Sequence, residues 1–182
     1  ILPLYEDVFL KKYNPPLDLA YSVGEDCACL IPDKAVKLLE KKEGDKYIIT
    51  TGTPLIIAET MLKERGLENM FKKIYANQFY VQDDKIVGFD HTCFFMGRAG
   101  KKEKAKEIQK KGYVQINARG DTYADLGMFD VAIPTKGTIC TSSEAPFYVK
   151  KVVLNSPHGS VFKNMIDSLS VSVSYTHLTL PT

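Results

Sequence analysis

The spacing of apolar residues changes several times along the chain, and each change marks an element. In "PDKAVKLLEKKEG", Ala35, Val36, Leu38 and Leu39 share one helical face and Gly44 ends the run. The short apolar run "KYIIT" predicts a strand ending at Thr50. "PLIIAETMLKERG" predicts a second helix, opened by Pro54 and capped by Gly66. "KKIYA" reads as another strand. "NQFYVQDDKIVGF" alternates with a two-residue period around Asp83-Asp84-Lys85, which predicts a β-hairpin. "KKEKAKEIQKKG" predicts a charged helix ending at Gly112, and "YVQIN", "DVAI" and "FYVKKVVL" read as strands. Strand, helix and strand in repetition imply an α/β fold with a mainly parallel sheet flanked by helices.

The first thirty residues break that rhythm. "LYEDVFLKKYNPPLDLAYSVGEDCACLIP" reads as helical pieces interrupted at Pro15-Pro16, a partial helical cap or insertion over 1–30 ahead of a core over 31–172. Cys27 and Cys29 alternate there as strand or coil residues do. The chain opens at Ile1 without a methionine. Its last ten residues, "VSYTHLTLPT" (173–182), resemble a translated sequencing-library adaptor, so they and His177 are expected to stand outside the fold. The whole reads as a metagenomic fragment.

Composition narrows the class. The chain has 182 residues, 45% hydrophobic and 25% charged, which suits one globular domain. A net charge of +2 gives no electrostatic case for nucleic acid or a membrane surface as partner. The lysines of "KKEKAKEIQKK" are mixed with glutamates, as on a solvated helix face. Cys27, Cys29, Cys93 and Cys140 form no CxxC pair, so free thiols in a cytoplasmic setting are expected. No apolar run approaches the roughly 18 to 20 residues that cross a bilayer.

Open parallel sheets place their sites at the carboxyl ends of strands. Three loops at such positions carry polar chemistry: "TTGTP" after "KYII", "GRAGKK" at the charged helix, and "ARGDTYADL" after "YVQIN". A hydroxyl, a lysine and two carboxylates would share one edge there. Mg²⁺ takes oxygen ligands and is satisfied by one or two carboxylates, substrate phosphate and water. A lysine offsets charge on a transferring phosphoryl group. Simpler roles fit the same residues: Asp121 and Asp125 as a helix cap, Thr50 and Thr51 as β-branched strand ends, Lys101 and Lys102 as solvated helix positions.

The order of these segments resembles the haloacid-dehalogenase-like (HAD) phosphohydrolases, in particular their phosphoserine-phosphatase-like branch. "YIITTG" resembles the family's second motif, with Thr50 as the hydroxyl beside Thr51 and Gly52. "GKKEKAKEI" resembles the third, with Lys101 or its neighbour Lys102 as the lysine. "RGDTYADL" resembles the fourth, GDxxxD, with Asp121 as the implied metal ligand and Asp125 as its supporting acid. "IYANQFYVQDDKIVGF" is similar to the segment that links the second and third motifs. The resemblance runs from about Ile31 to Ile133 and implies a Rossmann-like three-layer fold.

It also implies a Mg²⁺-dependent phosphomonoesterase acting on a small phosphorylated metabolite through an aspartyl-phosphate. Thr50, Thr51, Gly52 and Lys101 would bind the phosphate, Thr50 and Lys101 being the catalytic pair. The family's DxDx[TV] nucleophile motif does not occur in the chain, and Asp18 in "PLDLAYSVG" lacks the second acid. The expectation is that this motif precedes Ile1. The alternative is a non-catalytic HAD-like binding or regulatory subunit.

Overall fold

The computed structural model describes residues 10–169. The adaptor-like residues and the boundary at 172/173 lie outside the described residues. A helical turn at Lys11–Tyr13 leads through Pro15-Pro16 into α1 (Leu17–Cys27). The stretch between them runs antiparallel to the hairpin: Ile86 N donates to the Pro15 carbonyl and Leu17 N to the Asp84 carbonyl, each at 2.8 Å. Leu10, Ala20, Ile86 and Phe89 are buried together there, with Ile56, Ile57 and Phe79 against them. Cys27 and Cys29 are helical, at the end of α1 and inside a 3-10 turn, Ala28–Leu30. Their alternation misled because Ala20, Gly24 and Ala28, four residues apart, are the positions that α1 and this turn bury.

α2 (Asp33–Glu40) leads into β1 (Tyr47–Ile49), which pairs in parallel with β2 (Lys73–Tyr75) across the crossover helix α3 (Leu55–Glu64). Pro54 stands at the N-cap of α3, and Gly66 follows it at φ +65°, as the sequence pattern required. β3 (Phe79–Gln82) and β4 (Lys85–Phe89) form the hairpin. Asp83 and Asp84 turn it, both with positive φ, the conformation a two-residue hairpin loop demands. α4 (Gly97–Gln109) then crosses to a second parallel group, β5 (Ala118–Arg119), β6 (Ile139–Ser142) and β7 (Gly159–Phe162), in that spatial order. α5 (Leu126–Ala132), α6 (Phe147–Leu154) and α7 (Met165–Ser168) complete the α/β fold. Among the described residues, β1 bonds only β2 and β5 only β6, so each keeps one edge without a strand partner.

Three predicted strands are corrected. "YVQIN" is not a strand; β5 begins after it. The segment is held by side chains instead, with Ile116 N on Thr135 Oγ1 at 3.0 Å and Thr138 N on Asn117 Oδ1 at 2.7 Å. "DVAI" lies in α5 and the 3-10 turn after it, because Leu126, Phe129 and Ala132 fall at helical spacing and all face the core. "FYVKKVVL" is α6: Val149 and Val153, four apart, are fully buried, while the β-branched composition suggested a strand. The strands in this region are "ICTS" and "GSVF". The charged helix also starts one turn early, so Lys101 is its fifth residue rather than its first. No helix among the described residues is long and apolar enough to cross a membrane.

Candidate active site

Thr50 extends β1 by one ladder bond, its N–H donating to the Tyr75 carbonyl at 2.9 Å. Its Oγ1 accepts the Thr53 N–H at 3.2 Å, closing a tight turn. That leaves the Thr50 O–H free to donate elsewhere. Thr51 is half-buried, and Gly52 faces open space, with nothing within 4 Å of a Cβ built on it. This turn enters α3 as the Leu55 N–H bonds the Asn77 carbonyl at 2.8 Å.

Two lysines compete for the next role, and their surroundings differ. Lys101 is buried, and its Nζ donates to Asp125 Oδ1 at 2.6 Å. Lys102 is half-exposed and reaches Asp130 Oδ2 at 3.3 Å, beside the bidentate Arg98. Burial alone would raise the Asp130 carboxyl, but hydrogen bonds from Arg98 and Lys102 outweigh it and hold that group below its ordinary value. Arg98 is therefore committed to α5. Arg119, the other arginine near the motifs, donates from Nε to the Ser168 carbonyl at 3.3 Å.

The "GDTYAD" loop is organised by one carboxylate. Asp125 Oδ2 accepts from the Asp121 N–H (3.0 Å), the Thr122 N–H (2.9 Å) and the Thr122 hydroxyl (2.7 Å), while Oδ1 holds Lys101. The helix-capping reading is thus real, and the same carboxylate also meets the buried ammonium. Gly120 is required for this. A Cβ there would lie 2.3 Å from both Cβ and Cγ of Asp125. Asp121 itself is exposed, and its carboxylate has no hydrogen-bond or ion-pair partner among the described residues.

The arrangement offers a hard cation one available carboxylate, Asp121, with Asp125 behind it and already used by its neighbours. Among the described residues no group of three or more His, Cys, Asp or Glu side chains is placed to hold a metal. One exposed carboxylate fits Mg²⁺ completed by water and phosphate. All four cysteines are free thiols, and burial pushes that of Cys140 up, away from reactivity.

Lys101, Asp121 and Asp125 meet through direct bonds. Thr50, Thr51 and Gly52 connect to them indirectly, through Asn77. This residue is 1% exposed; its Nδ2 donates to the carbonyls of Thr51 (3.2 Å) and Phe95 (3.0 Å), and its Oδ1 accepts the Phe95 N–H at 2.9 Å. The sequence gives Asn77 no role beyond its place in "IYANQFYVQDDKIVGF", and gives Thr122 none. For Thr122 a signal existed, since T-x-x-D ahead of "LGMF" is a capping-box pattern.

The phosphoserine phosphatase from T. onnurineus, solved in complex with NDSB-201, is 20% identical in sequence to the chain. The similarity covers 75% of this chain and 56% of that one, at a TM-score of 0.43. The chain thus spans little more than half the length of that protein. No curated protein matches it. The haloacid dehalogenase-like hydrolase family matches residues 6–130, well over half of the sequence and every segment of the site just described, and the chain belongs to that family.

Proposed function

We propose that the protein is a Mg²⁺-dependent phosphomonoesterase of the phosphoserine-phosphatase-like branch, acting in the cytoplasm on a small phosphorylated metabolite. The observation that carries this is the buried Lys101–Asp125 pair beside the Asp121 carboxylate, which has no partner among the described residues. Lys101 has three donors and spends one on Asp125, so two remain for phosphate oxygens. Asp125 fixes the direction in which they point. Thr50, its oxygen already accepting from the turn, offers its O–H to another phosphate oxygen. Asp121 would hold Mg²⁺, which when bound neutralises charge on the phosphate. The nucleophile would be an aspartate of a DxDx[TV] segment preceding Ile1, which takes the phosphoryl group as the ester P–O bond breaks and the alcohol leaves, then yields it to water as inorganic phosphate. The edges of β1 and β5 that lack a strand partner among the described residues are compatible with one more parallel strand.

The test is phosphate release from a panel of small phosphomonoesters by the product of the whole gene. Release should stop on chelation of Mg²⁺. Lys101→Ala should slow turnover by about 10²-fold or more while leaving the Mg²⁺ midpoint nearly unchanged. Release indifferent to both would refute the proposal. A complete gene with no DxDx[TV] upstream, and no release, would favour the non-catalytic relative.

A further inference from the structure

Asn77 touches neither the Thr50 hydroxyl nor the Lys101 ammonium, yet it bonds both segments that carry them. On one side lies Thr51, next to Thr50; on the other lies Phe95, two residues before α4 and its Lys101. Phe95 also abuts α4 directly: a Cβ on Gly100 would stand 3.0 Å from the Phe95 Cβ. The Asn77 carbonyl adds a fourth bond, to the Leu55 N–H at the head of α3. The side chain is almost fully buried, so a loop that moved alone would leave a carbonyl or amide without a partner and without water. Neither loop can shift cheaply by itself.

We infer that Asn77 is a positioning residue that locks the Thr50–Pro54 turn and the entry to α4 into one unit, fixing the Thr50 hydroxyl and the Lys101 ammonium at a constant separation. This rests on the reading of those two groups as phosphate ligands. Its consequence is specific: phosphate affinity depends on a side chain that never reaches the phosphate. Asn77→Asp keeps the shape and the acceptor for Phe95 N–H but turns a second oxygen towards two carbonyls. Asn77→Ser removes the reach without adding charge. Val153→Ala, in the core under α6, serves as the control for lost stability alone.

The experiment measures the affinity for inorganic phosphate with Mg²⁺ present, below the melting range of every variant, together with amide hydrogen exchange. Both Asn77 variants should bind phosphate about tenfold more weakly or worse, and the Leu55 and Phe95 amides should exchange faster together. Val153→Ala should keep wild-type affinity despite a lower melting temperature. The inference is overturned if the Asn77 variants bind phosphate as wild type does, if Val153→Ala weakens binding equally, or if only one of the two amides responds. Should the wild-type protein bind no phosphate, the phosphatase reading falls first, and the inference falls with it.

Discussion

Asp125→Asn is expected to lower the melting temperature by roughly 10 °C or more. The carboxylate has two oxygens, and both are acceptors: Oδ1 for Lys101, Oδ2 for two backbone N–H groups and a hydroxyl. An amide has one acceptor. Whichever way it turns, its NH₂ faces donors, and either the buried ammonium or the loop loses its partner. Removing one member of a buried pair costs about 3–5 kcal/mol, because the other charge stays behind. Lys101→Met in the same background should recover part of the loss by removing that charge. Thermal melting of the two single variants and the double variant checks this. An Asp125→Asn protein that melts like wild type would mean the pair is not formed.

Gly127→Ala should be nearly as damaging, for a different reason. α4 and α5 cross at this residue so closely that a Cβ on Gly127 would stand 2.0 Å from the Arg98 carbonyl oxygen and 2.8 Å from the Lys102 nitrogen. Both are helix backbone atoms, so no rotamer relieves the clash and the helices must part. The Lys101–Asp125 contact spans the same two segments and would stretch with them. A loss of about 3 kcal/mol or more is expected. Gly52→Ala makes the contrast, because a Cβ there meets nothing within 4 Å. Chemical denaturation of the two variants should give a large loss at Gly127 and a small one at Gly52. Equal losses would show that the helix crossing is looser than described.

These two residues also show what the sequence could and could not disclose. Several elements before Gln109 are legible because they carry local punctuation marks: Pro54 and Gly66 around α3, Asp83-Asp84 in the hairpin. Beyond it the marks fail. "DVAI" and "FYVKKVVL" are β-branched stretches whose helical form comes from the core against which Phe129, Val149 and Val153 are buried, a tertiary fact. "ICTS" is buried along its whole length and so shows no alternation. Within the site, Asp121, Asp125 and the Lys101/Lys102 pair were visible as motif residues. That Lys101 is the buried one depends on where Asp125 lies across the α4–α5 crossing. Asn77 lies in the family-like segment "IYANQFYVQDDKIVGF", but its role was hidden for the same reason, since its partners Thr51 and Phe95 are 26 and 18 residues away.

Asp121 is the carboxylate proposed to serve a magnesium-dependent phosphatase. Its most direct test is phosphate release against Mg²⁺ concentration for the whole gene product and its Asp121→Asn variant. An amide in place of the exposed carboxylate removes the charge that attracts a hard cation, so the Mg²⁺ midpoint should rise about tenfold or more, or activity should vanish at all accessible concentrations. An Asp121→Asn protein that titrates with Mg²⁺ like wild type, at full rate, would contradict the account and leave "GDTYAD" as a helix cap alone.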